Sequence, residues 1–134
     1  QPAPKVPSGG LRLDAASVCD ELFDPKLMSY ETNRLFDERY KDQTVRWIGA
    51  VRRANEYSYD STFGDEGGTK VEVDLHEIKQ AYGSRIVKGF VQLRKEAIDD
   101  VRSRIGQDVA FEGRLLTCEG SSRRIYVADA KLAN

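Results

Sequence analysis

Thr44-Val45-Arg46-Trp47-Ile48-Gly49-Ala50-Val51-Arg52-Arg53 is the stretch that decides the fold. Val45, Trp47, Gly49 and Val51 alternate with Arg46, Ile48, Ala50 and Arg52. That is the two-residue period of a strand with one face in a core. A glycine in the middle of such a run calls for a bulge or sharp bend, which a small barrel needs in order to close. Trp47 falls on the inward set and reads as core.

Toward the C-terminus the same period returns. Lys70 to Leu75 alternates through Val71, Val73 and Leu75, and Arg85 to Leu93 makes a third strand. Lys95 to Ile105 changes to helical spacing, with Ala97, Ile98, Val101 and Ile105 on one face and Gly106 as the stop. Gln107 to Thr117 is a fourth strand and Ile125 to Leu132 a fifth. The connections expected between them are Ala54 to Thr69, His76 to Ser84 and Glu119 to Arg124. The first is long, rich in Ser, Asp and Gly, and carries Tyr57, Tyr59 and Phe63. Three strands, a helix and two strands are the order of a five-stranded Greek-key OB-fold barrel, mainly β with helices (α+β). The helix between strands 3 and 4 should plug one barrel end with Ile98, Val101 and Ile105.

Toward the N-terminus, Ser29 to Tyr40 reads as a helix with Tyr30, Asn33, Phe36 or Asp37, and Tyr40 along one side. Glu31, Arg34, Glu38 and Arg39 face out, while Asn33 and Glu31 are expected to fix this helix against the barrel. Leu13 to Phe23 is a shorter helix, capped by Asp14 and ended by Asp24-Pro25. Residues 1–12 begin with three prolines and two glycines in ten positions and read as a disordered Pro/Gly linker. Residues 13–134 are then a single domain with an N-terminal helical extension. The start at Gln1, without Met, fits a mature exported chain, extracytoplasmic in the periplasm or tethered to the envelope by lipid.

Composition narrows the function. Lys and Arg number 21 against 22 Asp and Glu, a net charge of -1, so the basic excess common in nucleic-acid binders is missing. No apolar run reaches the roughly 20 residues that span a bilayer. Cys19 and Cys118 match no metal spacing and read as unpaired thiols, a disulfide being the alternative outside the cytoplasm. His76 stands alone beside Glu77 in an expected turn and reads as a solvated surface residue. Asp60, Asp65 and Glu66 do not follow the spacing of a calcium loop. With no nucleophile elbow, phosphate loop or zinc quartet, the expectation is a binding protein without catalytic residues, cofactor or metal.

Tyr30-Glu31-x-Asn33, Tyr40-Lys41, Val45-x-Trp47-x-Gly49-x-Val51 and Ile105-Gly106-Gln107-Asp108-Val109-x-Phe111-x-Gly113 together resemble the tRNA-anti-like family of small bacterial OB-fold domains. Many of these are exported or lipoprotein-associated. The resemblance runs from about Leu22 to the C-terminus and implies the barrel and, by fold analogy, nucleic-acid binding. The long first hairpin loop departs from the family's more compact pattern.

OB barrels take ligands across the outer surface of strands 2 and 3, between the first and last hairpin loops. If Val71, Val73 and Leu75 point inward, Glu72 and Asp74 face out, and would repel phosphate. On strand 3 the outward set is Ile86, Lys88, Phe90 and Gln92, with Phe90 a stacking platform and Lys88 a phosphate contact. Arg46, Arg52 and Arg53, with Arg123 and Arg124, form either a second basic set or an ordinary solvated exterior. The loop aromatics either meet a ligand or pack down over the barrel mouth. The candidate contact residues are therefore Arg52, Tyr57, Tyr59, Lys88, Phe90 and Arg123. The partner expected is single-stranded nucleic acid or, alternatively, a protein or peptide met outside the cytoplasm.

Overall fold

The computed structural model describes residues 13–133, so the linker expected over residues 1–12 lies outside the described residues. Two helices, α1 (Ala15–Leu22) and α2 (Ser29–Arg39), precede three strands, β1 (Thr44–Tyr57), β2 (Gly68–Gln80) and β3 (Gly83–Leu93). A 3-10 turn over Lys95–Ala97 runs into α3 (Ile98–Arg102), and β4 (Asp108–Glu119) and β5 (Arg124–Leu132) follow. The strands close a barrel in the order β1-β2-β3-β5-β4. Among the described residues β3 and β5 alone pair in parallel, from Lys88 beside Arg124 to Val91 beside Val127. This is the mainly-β OB-type barrel that the order of elements implied.

β1 serves two partners. Thr44 to Ala50 pairs with β4, and Ala50 to Tyr57 with β2. The strand must therefore coil around the barrel, and Gly49 stands where it turns. A Cβ at Gly49 would lie 2.9 Å from Val73 Cγ2 and 3.1 Å from the Asp74 carbonyl oxygen, closer than packed atoms allow. Val45, Trp47, Val51 and Ala54 are buried. The step from Val51 to Ala54 is three residues, because a bulge interrupts the ladder between Val51 and Arg53. The bulge leaves Arg52 and Arg53 both exposed, and a strict period of two would have sent Arg53 inward.

The core is one cluster filled from every strand, with Phe111, Leu115, Val73, Val87, Val91 and Val127 almost fully out of water. α1 packs against β2, and α2 packs against β4. Asp14 caps α1 by accepting from the Ser17 amide at 3.0 Å, and Val18, Cys19 and Leu22 are its buried face. The Trp47 indole N–H donates to the Leu13 carbonyl at 2.6 Å, which ties the start of the helical extension to the first strand.

Several boundaries move. α2 buries Thr32 and Phe36, with Tyr40 beyond its end, whereas Tyr30 is exposed and Asn33 faces out. Thr32 is drawn in because its hydroxyl donates to the Leu22 carbonyl at 2.7 Å. Asn33 does bind the barrel, its Oδ1 accepting from the Gly120 amide at 3.0 Å. Glu31 instead closes its own helix by accepting from the Met28 amide. The third helix is shorter than expected. Ile98 and Val101 are buried as plugs, but Ile105 lies past the helix end, half exposed, beside Gly106 with its φ of 89°. His76 to Gln80 and Ser84, expected as turn, continue the β2–β3 ladder after a bulge at Leu75. His76 thus belongs to a strand, its Nε2 2.9 Å from Asp20 Oδ1 of α1.

Candidate functional site

The outer face of β2, β3 and β5 gathers the groups that chemistry needs for a flat ring and an anion. Register sets Glu72 beside Phe90, Asp74 beside Lys88 and Phe90 beside Tyr126. Phe90 and Tyr126 are stacked, centroids 5.2 Å apart and planes 19° from parallel. Phe63 meets Tyr126 edge-on at 5.9 Å, and Tyr57 meets Phe63 at 6.3 Å. The row is an aromatic cluster outside the barrel, spanning the end of β1, the loop after it, β3 and β5.

Cations surround it. Lys70 Nζ lies 5.2 Å from the Phe90 centroid and 5.9 Å from that of Tyr126. The Arg124 guanidinium lies 5.3 Å from the Phe90 centroid. Both are within the reach of cation–π attraction. Arg53, Asn55, Lys70, Glu72 and Phe90 line a groove of about 220 Å³ on this face.

Glu72 and Asp74 face out as expected, yet they do not stand there as free negative charge. Arg52 Nε lies 2.7 Å from Asp74, and Lys88 Nζ bonds Asp74 and sits 3.5 Å from Glu72. Arg53 approaches Glu72 at 3.7 Å. Burial alone would raise the Asp74 carboxyl, but Lys88 and Arg52 outweigh it and hold it below the ordinary carboxylate range. Lys70 pairs with Asp60 at 2.7 Å and Arg124 approaches Glu119 at 3.8 Å. Five cations thus meet four carboxylates, and the face is close to neutral.

The six candidates divide. Arg52 and Lys88 meet through Asp74, and Phe90 is joined to Tyr57 through Tyr126 and Phe63. The Tyr57 hydroxyl also accepts from Gln92 Nε2 at 2.8 Å, and Gln92 Oε1 accepts from the Asp129 amide at 2.9 Å. Tyr59 stays 69% exposed and outside the row. Arg123 has φ 56° and lines a cavity with Asp24 and Gln80 on the side of the helices. Its neighbour Arg124 is the one over Phe90. Arg46 separates from the basic set altogether, donating to the Ala133 carbonyl at 3.1 Å. Lys70 and Tyr126 were not among the candidates. The parallel β3–β5 pairing that puts Tyr126 beside Phe90 has no local sequence signal, but Lys70 precedes an inward Val71 and was open to the same alternation.

No group of three or more His, Cys, Asp and Glu gathers to hold a metal among the described residues. None of the helices there is long and apolar enough to cross a membrane. Both cysteines are free and buried. Burial chiefly, then Asp20 and Asp14, pushes the Cys19 thiol well above its ordinary range. Burial, Asp37 and Glu119 push Cys118 up to about 12. Since the thiolate is the nucleophile, iodoacetamide at neutral pH should label neither residue readily in the folded chain and both after unfolding. Rapid native labelling of either, read by mass, would contradict this burial.

No protein-family model matches the sequence, and no curated protein matches it, so the tRNA-anti-like resemblance rests on the motifs quoted above. Among solved structures the chain is similar to one from Klebsiella pneumoniae subsp. pneumoniae described as a "putative nucleic acid-binding lipoprotein". The two are 12% identical with a TM-score of 0.49, over 84% of this chain and 86% of that one.

Proposed function

We propose that this chain is a non-enzymatic binding module that takes single-stranded nucleic acid across the outer face of β2, β3 and β5. The observation that carries the reading is the stacked Phe90–Tyr126 pair with Lys70 and Arg124 over its rings. A base has a π-face to stack on such a platform, and its phosphate has cations beside it. Because these cations also have carboxylate partners, a phosphate must displace a carboxylate before it gains one. Affinity should therefore be modest and its salt dependence shallow. One or two phosphates give a slope of log K against log[salt] of roughly -0.7 to -1.4.

Fluorescence anisotropy with a labelled oligothymidylate, titrated from low salt upward, tests this. Binding that is absent at low salt, or that does not weaken as salt rises, defeats the nucleic-acid reading. The pairing of all five cations favours one second reading, a protein or peptide partner met by an exported or envelope-associated chain. Partners of that kind tolerate a mixed-charge face with partly exposed aromatic groups.

A further inference from the structure

The loop between β1 and β2 lies on the face just described, and it is internally organised. Asp60 and Gly64 exchange two backbone hydrogen bonds, each 2.8 Å, and Asp60 Oδ2 accepts from the Thr62 and Phe63 amides at 2.9 and 3.0 Å. What this small ring presents to the barrel is one carboxylate oxygen and one aromatic ring. Asp60 Oδ1 takes Lys70 Nζ at 2.7 Å, the same ammonium that stands over Phe90 and Tyr126. Phe63 meets Tyr126 in a T-shaped contact. The Asp60 and Lys70 side chains are only 12% and 31% exposed, so this is a largely desolvated contact.

We propose that this loop is an intramolecular occupant of the site. Asp60 holds the place of a nucleotide's phosphate and Phe63 the place of its base, so a single strand binds by displacing the loop. The inference rests on the nucleic-acid reading above. A ligand that needs the open form binds with its affinity reduced by the fraction open. Loosening the loop should therefore tighten binding. A loop that instead clamped the ligand would give the opposite result.

The test uses the full chain with three single variants and the labelled oligothymidylate, each variant first checked by circular dichroism. Asp60→Asn keeps an oxygen for the Thr62 and Phe63 amides but gives up the charge on Lys70. It should bind roughly two- to fivefold more tightly, the range of one ion pair near the surface. Its salt slope should steepen by about 0.7, as one further phosphate partner is freed. Phe63→Ala should also tighten binding without altering charge. Asp65→Asn removes an equal charge from an exposed position of the same loop and should leave affinity unchanged.

If the native chain binds and the first two variants gain nothing, the proposal falls and the nucleic-acid reading stands. An equal gain from Asp65→Asn also overturns it, since bulk charge would then be the cause. If no chain binds, both fall. Hydrogen exchange on the unaltered chain is a second measurement, independent of any variant. Saturating oligonucleotide should speed exchange at the Thr62 and Phe63 amides, and protection there would overturn the displacement.

Discussion

Replacing Gly113 by valine should destabilise the barrel by about 3 kcal/mol, the upper part of the range for overpacking a tight core. Gly113 lies opposite Val45 on β4, inside the barrel. A Cβ there would stand 2.6 Å from Val127 Cγ1, 2.8 Å from Ala130 Cβ and 3.0 Å from the Ala128 carbonyl oxygen. Two of these atoms belong to almost fully buried side chains and the third to backbone, so none swings away as the end of a long side chain would. The approach is close because β5 carries an irregularity at this point, where the ladder shifts between Glu112 and Arg114. Asp129 sits within it at φ 53°, a conformation that costs a non-glycine residue energy. Arg114 holds the Asp129 carboxylate at 3.1 Å, and Gln92 holds its amide.

The consequence reaches the outer face of β2, β3 and β5. Gln92 binds both Asp129 and the Tyr57 hydroxyl, so displacing the β5 irregularity pulls on the base of the β1–β2 loop. Urea unfolding of Gly113→Val should show a lowered midpoint. A midpoint within experimental error of the unaltered chain would mean that β4 and β5 are not so closely joined. Gly113→Ala should fall between the two, because it adds the clashing Cβ without the branches.

The barrel was legible because burial on one face of a strand leaves a periodic trace in the sequence. Val45-x-Trp47-x-Gly49-x-Val51 is such a trace, and its inward set is buried as read. What escaped is whatever breaks the period or joins distant segments. The bulge after Val51 changes which arginines face out, and the bulge at Leu75 carries β2 to Gln80 through residues polar enough to read as a turn. Both are choices made by the partner strand. In α2 the apolar stripe was misread because Thr32, a polar residue, is buried with a hydrogen bond to the Leu22 carbonyl of α1, while Tyr30 is 65% exposed. At the site, Phe90 and Lys88 were legible from the outward set of β3. Tyr126 was not, since it earns its position from a parallel partner 36 residues away. The carboxylates of β2 were legible as outward, but their pairing with Arg52, Arg53 and Lys88 was not, because sequence shows their side of the strand and not the cations brought beside them.

Phe90→Ala should weaken oligonucleotide binding by about tenfold, within the roughly 1–3 kcal/mol that stacking on one aromatic side chain contributes per base. Phe90 is the member of the row placed to do this, because it is half-buried and lines the groove with Arg53, Asn55 and Lys70. Tyr126 is 4% exposed, stacked on Phe90 and in contact with Phe63, so it can meet a base only where the loop has moved away. Removing the Phe90 ring also takes away the shared face that holds Lys70 and Arg124 over the sheet. The loss should thus include some weakening of phosphate contact, with a shallower salt slope. Phe90→Tyr keeps the ring and should retain most of the affinity. Tyr59→Ala removes the most exposed aromatic of the loop and should change affinity less than twofold, since Tyr59 lies outside the row. A loss at Tyr59 equal to that at Phe90 would move the binding surface off the β2–β3–β5 face and onto the loop itself. A loss at neither would leave the aromatic row as structure alone, a small external core whose work is to hold the loop in place.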